Sequence, residues 1–594
     1  MRWILALAAA AMVAVTATAD LDLLLLHVND VHSRFEETDV KSSDHCPAAD
    51  FARGECYGGV ARIAEVVRTE RQLAADKGLP SLFVVAGDIF QGTPYFTFFK
   101  WQVCAEVVKK LRPDIMTLGN HEFDDSIKTL VSYLTDIKIP TVLTNLNMTE
   151  YPTLSALVLP SRVFTINGTK VGFVGYLSTD CPVIKNTNTG RIKFMKESQP
   201  IRNEIKKLRD SGVNIVIALG HSGIDVDRIV AREVEDIDLI ISSHSHTFLC
   251  SGPPPSIEIP YGPYPFYETN VKNNKPVPII TAYAFSKYIG KVHLRFDSKG
   301  DLTSIDGSPI LLDRKIKQDP SMLTLVNKWK PLVTEITNVT VGRTFVDLSS
   351  QCGLEECNFG NLIADSYVYY NVLKNHNNKE YWTDSPIGII QSGGIRTTIK
   401  YNSKRNGYIT LGQLTTAIPF MRKLVKVTIS GSTLKEVFEH SVTKYGFPLE
   451  SNRFLQVSGV QIEYDLSQNP GSRVSSIYLR CGKCVVPKFE PLILNANYTI
   501  LLNGFLARGG DNYWMFKNTV KKNVILDVDD YNVTAVYMKA ISPIITGIEG
   551  RIKFKSHSTK NEKSTASNIT YNTPSSRLQL LLIVIFSTLL FCYH

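Results

Sequence analysis

The residues best suited to chemistry stand where apolar runs stop. Thr117-Leu118-Gly119-Asn120-His121-Glu122-Phe123-Asp124 continues an apolar stretch begun at Ile115, then turns at a glycine into an amide, an imidazole and carboxyls. By itself this is an ordinary strand-to-loop turn. Four other apolar runs end the same way. Asp30 and His32 close residues 21–28, and Asp88, after Gly87, closes 81–86. His221, after Gly220, closes 214–219, and His244 and His246 close 238–241. In open α/β sheets, sites form at the carboxyl ends of strands. Asp-x-His and His-x-His each put two ligands within one turn. A lone carboxylate such as Asp88 can bridge two cations and offset their repulsion. Mixed Asp, His and Asn ligands suit zinc or another divalent transition metal rather than calcium.

The elements that must carry these residues alternate. A helix over 58–78, with Val60, Ile63, Val66 and Val67 at helical spacing, separates the first two strands. Helices near 99–111 and over 199–210, and strands at 142–145 and 170–176, continue the pattern. This spacing predicts a layered α/β domain over 20–318. Residues 319–337 read as a connecting helix whose apolar face is Leu323, Val326, Trp329 and Leu332. A second, smaller α/β unit runs over 338–553, without internal similarity to the first. Residues 554–576, rich in Ser, Thr, Asn and Lys, read as a stalk.

The chain has 594 residues, too many for a single core, and a formal charge of +9. No basic block of the kind that tracks nucleic acid is present. Arg551, Lys553, Lys555, Lys560 and Lys563 fit a solvated stalk, so nucleic acid is not an expected partner. Residues 1–19 form an export signal: Arg2, an apolar run over 4–15, and Ala17-Thr18-Ala19 before cleavage at Asp20. The apolar end, 577–594, follows small residues and a polar spacer. That pattern matches a glycolipid-anchor signal, with a retained single span as the alternative. An exported chain meets an oxidising compartment. Among ten cysteines, Cys46 with Cys56, Cys352 with Cys357 and Cys481 with Cys484 are close enough to pair, Cys104, Cys181 and Cys250 remain, and Cys592 lies in the tail. Cys481-x2-Cys484 has no second pair, which favours a disulfide loop over zinc. Six sequons, at Asn147, Asn167, Asn338, Asn497, Asn532 and Asn568, fit an extracellular surface.

The pattern Asp30-x-His32, Gly87-Asp88, Gly119-Asn120-His121-Glu122, Gly220-His221 and His244-x-His246 resembles the dimetal metallophosphoesterases. In the second unit, Asn358-Phe359-Gly360-Asn361-Leu362, Ser392-Gly393-Gly394-Ile395-Arg396, Pro419-Phe420, Asn503-Gly504-Phe505 and Gly509-Gly510-Asp511 resemble the 5′-nucleotidase C-terminal domain. Together the motifs span roughly 22–553, and with the two terminal signals the chain is similar to the ecto-5′-nucleotidase and apyrase branch of that family. The resemblance implies a four-layered α/β metallophosphoesterase domain joined by a helix to a smaller α/β nucleotide-binding domain. It implies two divalent metal ions, zinc by preference. Asp30, His32 and His246 would hold one; Asn120, His221 and His244 would hold the other, with Asp88 bridging. His121 and Asp124 would form a catalytic dyad beside the phosphate. Phe420 and Phe505 would sandwich the base, Arg396 would reach phosphate, Asp511 would accept the ribose hydroxyls, and Gln391 and Gly394 would complete the substrate site. Rotation of the second domain would deliver nucleotide to the metals. A homodimer through that domain is implied as well.

Three departures bear on the substrate. Gly353 stands where the ecto-enzymes carry an arginine after the first cysteine of the C-x4-C loop. Gln391-Ser392 replaces a usual Asn-Gly. His246 stands where an amide is common among the ecto-enzymes, although histidine is general in the wider family. The expectation is extracellular hydrolysis of AMP to adenosine by an anchored or secreted enzyme. The alternative is an apyrase acting on ATP and ADP, which the missing arginine favours. A catalytically dead adhesion scaffold is disfavoured because every metal-type residue is in place.

Overall fold

In the computed structural model, which describes residues 20–42, 45–179, 189–374, 380–446, 452–517 and 524–555, Leu21–Val28 is buried along its length except at Asp22. That is the pattern of a strand covered on both faces. It pairs in parallel with Ser81–Ala86, Leu26 opposite Phe83, and antiparallel with Tyr288–Phe296, Leu25 opposite Val292. The sheet extends through Ile115–Thr117 and Thr141–Val142 to Val158–Leu159 on one side, and to Leu302–Leu311 on the other. A second sheet runs Phe266–Thr269, Pro276–Ile280, Leu239–Ile241, Ile215–His221, Thr169–Leu177, Ser161–Ile166.

Side-chain alternation divides each strand between two cores. Leu23 and Leu25 join Val84, Phe173, Ile217 and Ile241 between the two sheets. Leu26 and Val28 face outward, where Ile63, Val67, Val103 and Leu134 come from Val60–Asp76, Pro94–Leu111 and Ile127–Ile137. On the far side, Val216, Ala218 and Ile240 meet Ile201, Ile205 and Val230 from Ser198–Asp210 and Ile224–Glu233. The result is helix, sheet, sheet, helix: four layers, with all five site-bearing strands ending on one edge.

Several boundaries differ from the sequence reading. The strand expected at 142–145 is Thr141–Val142 only. Beyond it the chain crosses to the second sheet: Thr144 N–H donates to the Gly175 carbonyl at 2.8 Å, and the Asn145 side chain bonds Leu177 N–H and carbonyl and the Met195 carbonyl. The helix expected near 99–111 starts at Pro94 and bends at Lys100, whose φ is 53°. The connecting helix, Pro320–Thr337, is capped by Asp319, which accepts from Met322 N–H at 2.8 Å. Val326 is buried, and Leu323 and Trp329 pack on the first core, but Leu332 is 46% exposed. Six residues at about 100° each carry Leu332 roughly a third of a turn off that face; Val333 takes its place.

The second unit has a five-stranded sheet in the order Leu455–Ser458, Ile387–Gln391, Asn497–Asn503, Lys423–Ser430, Val524–Asp529. Alternation again splits it. Val425, Ile500 and Leu502 pack beneath Gly431–Ser441, while Leu424 and Leu501 pack beneath Asn358–Lys374 and Asp530–Ala540. A four-stranded sheet, Phe489–Pro491, Val474–Arg480, Val460–Tyr464, Ile552–Phe554, closes the domain. The described residues up to Phe554 form one compact unit. Disulfides join Cys46–Cys56, Cys352–Cys357 and Cys481–Cys484; Cys104 and Cys250 are free thiols. Residues 1–19, the stalk beyond Lys555, the tail 577–594, Cys181, Cys592 and Asn568 lie outside the described residues. Among those described, no helix is long and apolar enough to cross a membrane.

Candidate active site

The strand ends converge through unusual backbone. Asp30, His32, Asp88, His244 and His246 all have φ between 50° and 76°. Non-glycine residues adopt that region at a cost and keep it only where their surroundings demand it. Five of the seven metal-type residues do so, which marks the loops as built for side-chain placement rather than for chain reversal. Gly119 serves the same end: a Cβ there would overlap Asp88 Oδ1, so only glycine lets the carboxylate sit over the neighbouring strand end.

Two overlapping clusters result. In the first, Asp30, His32 and His246 bring their ligand atoms within 4.8 Å of one another. His32 Nε2 lies 3.0 Å from His246 Nε2, and Asp30 Oδ1 is 3.5 Å from the latter. In the second, Asp88, His221 and His244 do the same. Asp88 Oδ2 is 3.1 Å from His221 Nε2 and 3.7 Å from His32 Nε2, between the two groups. Ring nitrogens pointed at one another and at carboxylates are the donor set of a divalent-cation site. The Oδ1 of Asn120 supplies a further sign: it is buried and has no hydrogen-bond partner. Outer contacts aim the rings. His221 Nδ1 is 2.8 Å from both the Ala86 carbonyl and Ser243 Oγ, which leaves Nε2 facing inward. Burial opposes ionisation of Asp30, but the hydrogen bond and charge of His246, with His221, hold its carboxyl at about 2.

His121 and Asp124 sit one turn apart, His121 Nδ1 to Asp124 Oδ2 2.8 Å. Gln91 Nε2 donates to the same oxygen at 2.9 Å. Burial works against the charge on both, yet the pairing wins: the imidazole is raised by Asp124 and Asp88, and the carboxyl is lowered by His121 and Arg422. His121 also comes within ligand distance of His32 and Asp88.

Glu122 had no role in the sequence reading. Its carboxylate accepts from the backbone N–H groups of Asp88, Ile89, Phe90 and Gly119 at 2.6–3.1 Å. It therefore ties the loop of Asp88 to the loop of Asn120 and His121. Only its place beside His121, in a turn with no solvent-facing neighbours, hinted at this.

The second domain meets this edge with its own strand ends. Ile387–Gln391 and Asn497–Asn503 run parallel and finish at Gln391 and at the turn bearing Phe505. Gln391, Gly394, Arg396, Phe420, Phe505 and Asp511 all line one cavity of about 650 Å³ with His32, Asp88, Asn120, His121, His244 and His246. Asp30 and His221 are fully buried behind its wall, and Asp124 faces a neighbouring cleft. Phe420 stacks on His121, ring centroids 6.0 Å apart and planes within 17°. Phe505 lies against Gly510, where a Cβ would strike its ring. Asn503 Nδ2 donates to Gln391 Oε1 at 3.1 Å and fixes its amide. Arg422, Lys444 and Arg453 also line the cavity; Lys444 and Arg453, with Arg396, give it a cationic wall suited to phosphate. None of Arg422, Lys444 and Arg453 stands in a motif, so the sequence offered no signal for them.

This fold and cavity define a two-domain metallophosphoesterase whose second domain is of the 5′-nucleotidase C-terminal type. The calcineurin-like phosphoesterase family model matches residues 23–248, and that of the 5′-nucleotidase C-terminal domain matches residues 335–518. Human 5′-nucleotidase is 38% identical over 540 residues, 90% of this chain and 91% of the human protein. Snake venom 5′-nucleotidase of Naja atra is 37% identical over 540 residues, 90% of this chain and 99% of the venom protein. The crystal structure of a 5′-nucleotidase precursor from Thermus thermophilus superposes with a TM-score of 0.77 at 29% identity, covering 91% of this chain and all of that one. The chain belongs to the 5′-nucleotidase family and is a phosphoric monoester hydrolase.

Proposed function

We propose that this protein hydrolyses nucleoside 5′-monophosphates, AMP foremost, outside the cell. The carrying observation is that a single cavity is lined by His32, Asp88, His244 and His246 together with the Phe420–Phe505 pair. In this reading Asp30, His32 and His246 would hold one divalent ion and Asn120, His221 and His244 the other, with Asp88, which lies between the two groups, serving both. The ions, zinc by preference, would polarise phosphate and lower the pKa of a bound water. His121, its ring oriented by Asp124, faces the phosphate and offsets charge that develops there. The segment 338–553 holds the nucleoside: the two phenylalanines stack the base, Asp511 accepts the ribose hydroxyls, Arg396 reaches phosphate, and Gln391 and Gly394 shape the slot between them.

Extracellular action is supported by the export signal at 1–19, the three disulfides, and the sequons. Asn147, Asn167, Asn338, Asn497 and Asn532 are all exposed, as glycan attachment requires. The tail 577–594 is read as a glycolipid-anchor signal that puts the enzyme on the outer leaflet. A homodimer through the second domain suits the exposed apolar residues Val485, Val486, Phe489, Ile493 and Leu494 at one end of its smaller sheet. A second reading, an apyrase that removes phosphate from ATP and ADP, is favoured by Gly353, which brings no side chain to the substrate. Phosphate release from AMP, ADP and ATP separates the two. AMP turned over fastest supports the first reading; ATP and ADP consumed with AMP accumulating would replace it with the second.

A further inference from the structure

We propose that Arg422, on the second domain, is a positioning residue for the His121–Asp124 pair of the first, acting when nucleotide enters the cleft. The inference rests on the phosphohydrolase reading above. Two observations carry it. The first concerns Asp124: its Oδ2 is engaged by His121 and Gln91, while its Oδ1 is buried without a hydrogen-bond partner. The second concerns what faces that oxygen. Arg422 Nη2 is 3.9 Å from it, across the domain boundary, and the Arg422 side chain is only 13% exposed.

The guanidinium sits beside the aromatic pair, short of a bond to Asp124. Its central carbon lies 5.6 Å from the Phe420 ring centroid and 5.9 Å from that of Phe505. A base that stacks on these rings needs the faces the guanidinium now covers. Displaced by the base, the guanidinium meets Asp124 Oδ1 as its nearest carboxylate oxygen, and a shift of about 1 Å makes a charge-assisted hydrogen bond. Its root does not move with it. Arg422 N–H donates to Asp530 Oδ1 at 3.1 Å, its carbonyl accepts from Asp530 N–H at 2.8 Å, and Met421 holds a φ of 48° that turns Phe420 and Arg422 toward the same cavity. Both oxygens of Asp124 are then fixed, and the plane of His121 with them. Base recognition in one domain thereby sets the dyad in the other.

The test uses the full-length zinc-loaded protein with AMP. Arg422→Ala and Arg422→Gln should lower kcat on the order of tenfold to a hundredfold while KM does not rise, because the ring faces are then open to the base. Melting temperature and metal content should match the wild type, and Arg422→Lys should recover part of the loss. In combination with Asp124→Ala, Arg422→Ala should cost nothing further, because the partner is already gone. A rise in KM with kcat preserved would make Arg422 an ordinary substrate contact and overturn the proposal. Losses that simply multiply in the double variant would overturn it too. A wild-type protein that releases no phosphate from AMP would refute the underlying functional reading instead.

Discussion

His121 stands at the meeting of two environments. Asp124 engages one ring nitrogen at 2.8 Å, and His32 and Phe420 flank the ring at centroid distances of 5.3 Å and 6.0 Å. A ligand role and a phosphate-facing role are both within its reach, and the Asp124 bond favours the second, because it raises the imidazole and orients it. His121→Ala should therefore lower kcat for AMP by about a hundredfold or more, with metal content near the wild-type value by elemental analysis. Loss of the ions along with activity would make His121 a ligand. At this scale the residues that the strand ends bring together were mostly legible in the sequence. Asp30, His32, Asp88, Asn120, His221, His244 and His246 each follow an apolar run, and that position gives them away. Arg422, Lys444 and Arg453 were not legible, because each depends on how a loop folds back over the cavity, which no local period records.

Elements explain why those residues meet at all. Parallel strands from 21 to 117 deliver three of the loops that carry the clustered Asp, His and Asn residues side by side, and the second sheet delivers two more. Glu122 binds the first sheet's loops to one another through four backbone N–H groups. Glutamine keeps the shape but offers one acceptor oxygen where two now serve, so buried N–H groups are left unpaired at about 1–3 kcal/mol each. Glu122→Gln should lower the unfolding midpoint and also weaken metal retention, in contrast to His121→Ala. A variant as stable and as metal-replete as the wild type would show that the loops hold without it. The alternation of strand and helix was legible from periodicity. The end of the strand at Val142 was not, since beyond it the chain crosses to Gly175, Leu177 and Met195, residues distant in sequence. Leu332 was misread for a different reason: its apolar character said nothing about its angle on the helix.

At the scale of the whole molecule, stability carries a pH signature from the core of the first sheet. Burial drives the His27 imidazole from 6.5 down to about 3. The unfolded chain takes up that proton as pH falls past 6.5, while the folded chain stays neutral until about 3. The unfolded state thus binds more protons across the window, and stability falls as pH drops through it. His27→Gln keeps a polar group toward Tyr264, to which His27 Nε2 is bound at 2.9 Å, but cannot titrate. The dependence of the urea midpoint on pH below 6.5 should flatten in the variant. Unchanged slopes would mean that His27 does not remain neutral in the folded protein. The joining of the two domains around one cavity was the least legible feature, because it rests on contacts between segments hundreds of residues apart, such as His121 with Phe420. It is also the feature on which the account depends. The most direct test is AMP hydrolysis by protein stripped with a chelator and titrated with zinc. Activity should vanish on stripping and return to a plateau at about two ions per chain. Full activity without metal, or a plateau at one ion, would contradict the account.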